Sequence, residues 1–433
     1  MAGRIFYVDP LHGSSANNGL TSAAYAVGNT GPFGSITDVL WDGNSDPDTY
    51  GGSGDIYYLV ASTGDYIKQS DGYSGYRFDT SPASTRWGYG VYGGYVETNM
   101  PGYGYLIAIG VNEDLEEDGT RYQIQWDADV SNTNFFGGYG YPALFRNIEW
   151  KSVNSTYGGG MYSFSSGGDG YYFVNCKWDW SGPSSNSGTL WQTFNPSASF
   201  RECEFIGPGP SVSMNCIRIG AQYGQHNAVQ GCKFRNWNIA YQFVGSSEPF
   251  YGNIIKDCNY GVYYTAGTSN LHFISNNLFY NITNDAIYLG NSTNYTPHIA
   301  HNLIVDCGGY AINCGSSFLP FNDRFFRVAR NVVQNATSGL YGPDLLTAGG
   351  GIYNGHTGDG LYSCIEDNVI ITGLTLSVDD NFNVTISGFP ESALGLSGPS
   401  GVAPSSAGSF FTSGTSGEAS GSATETEQAR VTS

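Results

Sequence analysis

FRECEF, at residues 200–205, contains the pattern that decides the fold. Phe200 is followed after two residues by Cys203, and after one more spacer by Phe205. This order of an apolar residue, a Cys or Asn and a large apolar residue recurs eight times, at intervals of about 21 to 37 residues. Such a loose period is typical of a solenoid, whose coils must stack to share one core. The copies are Phe173/Cys176/Trp178, Phe200/Cys203/Phe205, Val229/Cys232/Phe234, Phe250/Asn253/Ile255, Ile274/Asn277/Phe279, Ile299/Asn302/Ile304, Val328/Asn331/Val333 and Ile365/Asn368/Ile370.

Each copy predicts strands rather than a helix. Cys203 and Phe205 alternate with Glu202 and Glu204, which is the period of a strand with one buried face. The three-residue step from Phe200 to Cys203 breaks the alternation and predicts a bend. A further short strand is expected after four of the copies, at Gly261-Val262, Ala286-Ile287, Ala311-Ile312 and Gly339-Leu340. Two or three short strands per coil predict a parallel β-helix, in which equivalent residues form columns about 4.8 Å apart.

Four columns follow from this register. Two are apolar and face inward, one begins with Cys and continues with Asn, and one consists of Asx residues in a turn. A buried Asn column is stable only if each amide is hydrogen-bonded, and Asx residues suit tight turns. The columns are Phe173, Phe200, Val229 and Phe250; Trp178, Phe205, Phe234 and Ile255; Cys176, Cys203, Cys232, Asn253, Asn277, Asn302, Asn331 and Asn368; and Asn236, Asp257, Asn281, Asp306 and Asn335.

The N-terminal segment resembles a known family. Its pieces are Tyr7-Val8-Asp9, a Gly/Asn-rich loop at 13–19, the segment 32–40, and Gly54-Asp55-Ile56. In this order they resemble the opening of the pectin-lyase-like right-handed β-helix proteins. The resemblance implies an all-β, right-handed parallel β-helix with a short capping helix over 32–40. It leaves function open, because the paired-Asp polygalacturonase motif and the Arg-x-Pro-x-x-Arg of pectate lyases are absent and such folds host many functions.

Composition predicts five regions along the chain. The coils are expected to end where Ser, Gly, Ala and Thr replace the large apolar residues. The regions are 1–70, an N-terminal cap and first coil; 71–160, early coils with long Gly/Tyr-rich loops; 161–375, regular coils; 376–390, a C-terminal end strand; and 391–433, a low-complexity tail.

Charge and composition narrow the classes of function. A formal net charge of −20 argues against nucleic acid, which requires Lys and Arg to neutralise phosphates. No apolar run approaches the roughly 18 residues of a membrane span, and no secretory signal is recognisable at the N-terminus. The 33 Tyr either fill outward positions or contact sugar rings, for which Tyr is suited. The eight Cys are expected to be reduced and buried.

Motifs for metals and cofactors are absent from the sequence. His298 and His301 lie three residues apart across the expected bend and are interpreted as structural. Asp114, Glu116 and Asp118 resemble the start of a calcium loop, but Gln125 stands where its Glu should be. We therefore interpret this stretch as a solvated acidic turn and expect no metal and no cofactor.

The outward strand face supplies the candidate site. Glu202 and Glu204 would lie about 7 Å apart on one strand face, in the range of inverting glycosidase carboxylates. They are the candidate catalytic residues. A lyase using nearby lysines, or a purely structural ladder of alternating charge, fits the same residues. The candidate ligand-binding residues are Lys177, Asp179, Lys233 and Arg235.

These features lead to three hypotheses. The first is a virion surface or appendage protein, such as a phage tail spike, fibre or head decoration, that attaches through polysaccharide. Resemblance to phage spikes implies a homotrimer or contact with other virion proteins, at a virion or extracellular surface. The second is a polysaccharide lyase or glycoside hydrolase of the pectin-lyase-like class. The third is a structural bacterial surface protein.

Overall fold

The computed structural model describes a set of strands and their connections. These described residues are 5–14, 16, 31–35, 56–69, 106–128, 143–154, 161–163, 171–184, 188–193, 198–219, 228–243, 249–264, 271–289, 296–313, 326–338, 352–353, 363–366, 368–371 and 374–387. Within these ranges the regular structure is all β, with no helix and hence no helix that could span a membrane. The capping helix predicted over 32–40 and the tail at 391–433 lie largely or wholly outside the described residues.

The strands form three long parallel sheets in the unit from residue 1 to 370. The first sheet contains Ile5–Val8, Ile56–Val60, Leu106–Val111, Ala143–Arg146, Tyr171–Val174, Ala198–Arg201, Val229–Gln230, Pro249–Tyr251, Leu271–Ser275, Thr296–Ala300, Phe326–Ala329 and Ser363–Glu366. The second contains Asp65–Gln69, Tyr122–Ala128, Ile148–Ser152, Lys177–Asp179, Glu204–Ile206, Lys233–Arg235, Ile254–Lys256, Leu278–Ile282, Leu303–Tyr310, Val332–Ser338 and Val369–Ile370. The third contains Met161–Ser163, Gly188–Thr193, Met214–Ile219, Ile239–Phe243, Tyr260–Tyr264, Ile287–Tyr288, Ile312–Asn313 and Ile352–Tyr353.

From residue 143 to 313 the chain visits the first, second and third sheets in rotation. Each strand pairs with the strand one coil before and one coil after it in its own sheet. Long stacks of parallel strands built in this way are consistent with the predicted parallel β-helix. The unit from residue 371 onward contains a separate antiparallel hairpin, Thr375–Val378 with Val384–Ser387, where one end strand was expected.

The inner columns have the predicted register. Phe200 pairs with Phe173 on one side and Val229 on the other, and the column continues through Phe250. Rings at these positions stack: the centroids of Phe173 and Phe200 are 5.2 Å apart at an interplanar angle of 8°. The second column stacks similarly, with Trp178 and Phe205 centroids 4.6 Å apart. These residues belong to one buried core, as a shared solenoid core requires.

The predicted bend is a two-residue connection between the first and second sheets. In each of seven successive coils its first residue has a left-handed backbone, with φ between 50° and 68°. Left-handed backbone is unfavourable for residues other than Gly, so the neighbouring coils must hold it in place. These first residues are Asn175, Glu202, Gly231, Gly252, Asn276, His301 and Arg330. His301 is therefore the first residue of its bend, and His298 lies in the strand that precedes it.

The second residue of the bend forms the predicted Asn column. Asn277 makes four hydrogen bonds: its Oδ1 accepts from the backbone and side-chain nitrogens of Asn253, and its Nδ2 donates to Phe250 O and Asn302 Oδ1. Asn302 and Asn331 repeat this arrangement in the next coils. Every amide in this run is thus satisfied, which is the condition for burying the column.

Cysteine replaces Asn in the N-terminal part of the same column. The Cys203 thiol donates a hydrogen bond to Phe173 O at 3.5 Å. In later coils the Asn amides contact the carbonyl at the equivalent position, as Asn277 contacts Phe250 O. Six thiols are free and buried: Cys176, Cys203, Cys216, Cys232, Cys258 and Cys307. Burial raises the pKa of Cys203 well above its ordinary value and that of Cys258 to about 12. Cys203 and Cys258 therefore remain protonated, as expected of reduced core cysteines.

Two buried carboxylates secure the N-terminal strands. Asp9 accepts hydrogen bonds from the Leu11 and His12 backbone and from Ser62 Oγ, and its Oδ2 lies 2.9 Å from His12 Nδ1. Burial alone would raise the pKa of Asp9, but these hydrogen bonds outweigh it and lower the pKa. Asp65 is the second carboxylate, and it accepts from Ser35 Oγ, the Tyr66 backbone and Tyr122 Oη.

We expect Asn277→Ala to destabilise the protein by on the order of 3 kcal/mol, because it leaves buried donors and acceptors without partners. Asn277→Cys is the matched variant and should cost less, since Cys203 serves the same carbonyl position three coils earlier in the column. Urea unfolding midpoints measure both. Equal losses for Ala and Cys would show that a thiol does not replace the amide at this carbonyl, and no loss for Ala would show that the hydrogen bonds of Asn277 contribute nothing.

We expect Asp9→Asn to lower stability at pH 7 by on the order of 2 kcal/mol, through loss of charge-assisted hydrogen bonds. Because folding lowers the pKa of Asp9 below 3.8, its contribution is present above that pH and disappears as pH falls through the lowered pKa. The melting temperatures of wild type and variant should therefore converge in acid. Asp114→Asn, at an exposed position, is the control; a gap that persists at low pH contradicts the assignment.

Candidate functional site

The predicted charge column lies on the outer face of the second sheet. Lys177 pairs in register with Glu204, and Glu204 pairs with Lys233. Glu149 extends the column by one coil, and its carboxylate lies 3.2 Å from the Lys177 ammonium. Opposite charges thus alternate along neighbouring strands, an arrangement that stabilises a sheet by avoiding like-charge neighbours.

Glu204 also faces an arginine from an earlier coil. Arg121 Nη1 lies 3.5 Å from Glu204 Oε2, while its Nε and Nη2 donate to the backbone and side-chain oxygens of Asn175. The side chains of Arg121 and Glu204 are only 23% and 21% exposed. These contacts favour a structural role for Glu204, and its catalytic role stays a prediction.

The structure separates the two candidate carboxylates by a change of backbone direction. Glu202 lies in the bend with φ of 56°, between strands Ala198–Arg201 and Glu204–Ile206. It therefore does not share a strand with Glu204, and the spacing of about 7 Å expected for alternate residues of one strand does not apply. Glu202 instead pairs with Arg201, whose Nε lies 3.2 Å from its Oε1.

The remaining candidates, Asp179 and Arg235, lie two residues after Lys177 and Lys233, at the next outward-facing position of the second sheet. Asp179 and Arg235 both pair in register with Ile206 and are therefore two coils apart, with Ile206 between them. The Asp179 carboxylate accepts hydrogen bonds from the backbone and hydroxyl of Ser181. Asp179 and Arg235 are consequently neighbours of the charge column rather than one compact site with it.

The acidic turn resembles no metal site in its contacts. Asp118 accepts hydrogen bonds from the Asn112 amide and the Thr120 backbone, and Asn112 Oδ1 accepts from the backbones of Asp114 and Glu116. The turn is exposed to solvent. Over the described residues, no group of three or more His, Cys, Asp or Glu could hold a metal ion.

A second constellation, on the outer face of the third sheet, was not predicted. Tyr263 and Tyr288 are in register on neighbouring strands, with ring centroids 4.7 Å apart and an interplanar angle of 22°. Tyr260 meets the Tyr263 ring edge-on at 5.0 Å. The alternate residues Val262 and Ile287 are buried in the core, so these half-buried rings face outward. We call Tyr260, Tyr263, Tyr288 and Asp285 the tyrosine patch.

Asp285 supplies the carboxylate of the patch. Its Oδ1 accepts from the Tyr310 backbone at 2.7 Å, and its Oδ2 accepts from Asn313 Nδ2 at 2.9 Å. Burial raises the pKa of Asp285, and these two hydrogen bonds only partly offset that rise. Burial also raises the pKa of Tyr260 and Tyr263, with Asp285 contributing. The carboxylate and the three phenols thus affect one another electrostatically.

An irregularity in the adjacent strand makes room for Asp285. The pairing of Leu303–Tyr310 with Val332–Ser338 shifts register between Cys307 and Tyr310. A Cβ on Gly309 would lie 2.4 Å from Asp285 Oδ1, so a glycine is required there. Bulges commonly redirect side chains next to functional sites. Asp285 itself lies in the connection that precedes the third-sheet strand Ile287–Tyr288.

Comparison of the chain with protein-family models, with curated proteins and with solved structures finds no match. The candidate functional residues lie on the outer faces of the second and third sheets. The second-sheet face is a set of charges paired with one another, whereas the third-sheet face combines stacked aromatic rings with a half-buried carboxylate.

We expect Glu204→Gln to lower stability by less than about 1 kcal/mol, because its pairing with Arg121 is partly exposed and is screened by salt. The melting temperature at low and at high ionic strength measures this effect, which should shrink as salt increases. A large loss independent of salt would indicate a buried role that the contacts of Glu204 do not account for.

Proposed function

We propose that this chain is an attachment protein of the virion surface, with a right-handed, pectin-lyase-like parallel β-helix that binds polysaccharide through the tyrosine patch. The tyrosine patch is the observation that carries the proposal. Stacked and edge-on Tyr rings offer flat apolar area with hydroxyls at the rim, which suits the apolar face of a sugar ring. Asp285 adds a fixed hydrogen-bond acceptor for sugar hydroxyls.

The fold supports this proposal by supplying a rigid platform. Tyr263 and Tyr288 lie on strands that are hydrogen-bonded in one sheet above a continuous core, so little order has to be gained on binding. The net charge of −20 disfavours a nucleic-acid partner. The proposed virion location draws on the acidic, Tyr-rich composition and the low-complexity segment at 391–433, and a homotrimeric assembly is what the resemblance to phage spikes implies.

A polysaccharide lyase or glycoside hydrolase is the second candidate, and Asp285 favours it. A general acid needs a carboxyl group with a raised pKa in a partly buried site, as Asp285 has. Release of reducing ends or of unsaturated uronates from capsular and algal polysaccharides tests this candidate. Loss of such activity in Asp285→Asn would place catalysis on the third sheet, whereas loss in Glu204→Gln would place it on the second.

We expect Tyr288→Ala to weaken binding of the wild type's glycan by about 3- to 10-fold, as loss of one aromatic contact implies. An array of bacterial capsular and other surface polysaccharides identifies the ligand, and titration of that ligand measures the loss. Tyr172→Ala, an exposed Tyr of the first sheet, is the matched control and should bind as wild type does.

Two outcomes would contradict this assignment. Unchanged binding in a Tyr263→Ala/Tyr288→Ala variant that remains folded would remove the tyrosine patch as the site. Binding of no polysaccharide by the wild type would favour the structural surface protein instead. Electron microscopy of labelled particles from the native source tests the virion location separately.

A further inference from the structure

We propose that the tyrosine patch selects uncharged glycans and rejects uronate-containing or sulfated ones, with Asp285 as the residue that discriminates. This inference rests on the proposed function and specifies its ligand class. It follows from the position of Asp285 and from the scarcity of Lys and Arg in the strands around the patch. It also follows from the expectation that a sugar binds flat on the stacked tyrosine rings.

The Asp285 carboxylate has a defined position next to the column of Tyr288, because it is bonded to Asn313, which is in register with Tyr288. Both of its oxygens accept a hydrogen bond from the next coil, one from the Tyr310 backbone and one from Asn313. Gly309 of the next coil also approaches this carboxylate closely. A carboxylate oxygen can accept more than one hydrogen bond, so capacity for a sugar hydroxyl remains. A sugar seated on Tyr288 would place its substituents near this negative charge.

Positive charge is scarce in the described strands of the third sheet. The outer column through Tyr263 runs Arg218, Gln242, Tyr263, Tyr288 and Asn313. Arg218 is the one Lys or Arg in the described strands of the third sheet. It lies two coils from Tyr263, or about 10 Å away at the usual strand spacing.

The segments that follow the two tyrosine strands add no positive charge of their own. Residues 265–270 and 290–295 contain neither Lys nor Arg in the sequence. An anionic sugar bound on the rings would therefore face Asp285 without a compensating neighbour from these strands or segments. Like charges in a partly desolvated site repel one another appreciably, whereas the hydroxyls of a neutral sugar would donate hydrogen bonds to the same carboxylate.

An array that prints neutral oligosaccharides beside sulfated and uronate forms of the same backbones tests the proposal. We expect the wild type to bind a neutral oligosaccharide at least about tenfold more tightly than its anionic counterpart, since one repulsive contact of 1.4 kcal/mol gives that ratio. Asp285→Asn should narrow the ratio by strengthening anionic binding and weakening neutral binding a few-fold. Asp114→Asn changes net charge equally at an exposed turn and should leave the ratio unchanged.

A second variant addresses the case in which Asp285→Asn does not fold. Asn313→Lys would put a cation beside Asp285 while keeping the carboxylate, and it should raise binding of the anionic forms. Preference of the wild type for anionic forms, or a ratio unaltered in the folded variants, overturns the proposal. These outcomes differ from failure of the proposed function, in which Tyr288→Ala leaves binding of every glycan unchanged or nothing binds at all.

Discussion

The architecture depends on a buried hydrogen bond in each coil, made to a backbone carbonyl oxygen at the bend between the first and second sheets. The inner residue of the preceding coil presents this carbonyl, and the next coil must supply a buried donor for it. Cys203 does so with a thiol toward Phe173, and Asn277 does so with an amide toward Phe250. Because an unpaired buried carbonyl is costly, only a few residue types fit this position.

The hydrogen bonds of the Asn column also fix the register of the outward-facing residues on the strands. Once Asn302 is bonded to Asn277 and Asn331, neighbouring coils cannot slip by one residue without breaking the column. Outer residues then align as strictly as inner ones. The second sheet uses this alignment to pair charges, as between Lys177 and Glu149. The third sheet uses it to stack Tyr263 on Tyr288.

The outer faces of the second and third sheets differ in whether their carboxylates have partners of opposite charge within the protein. On the second sheet, Glu204 and Lys177 face partners of opposite charge within the protein, so their charges are balanced locally. On the third sheet, Asp285 is held by a backbone N–H and an amide, neither of which carries charge. A carboxylate held in this way retains its negative charge toward a ligand, which is why the tyrosine patch is the stronger candidate site.

The sequence by itself determined the inner columns, the bend and the pairing of Lys177 with Glu204, because periodic burial and a repeated polar residue can be counted along the chain. It misplaced Glu202 relative to Glu204, since alternation does not reveal that the first bend residue adopts a left-handed backbone. Only the tertiary structure decided the tyrosine patch. The stacked rings of Tyr263 and Tyr288 lie 25 residues apart in sequence, and Asp285 is fixed by hydrogen bonds from Tyr310 and Asn313 of the next coil, which no local pattern reveals.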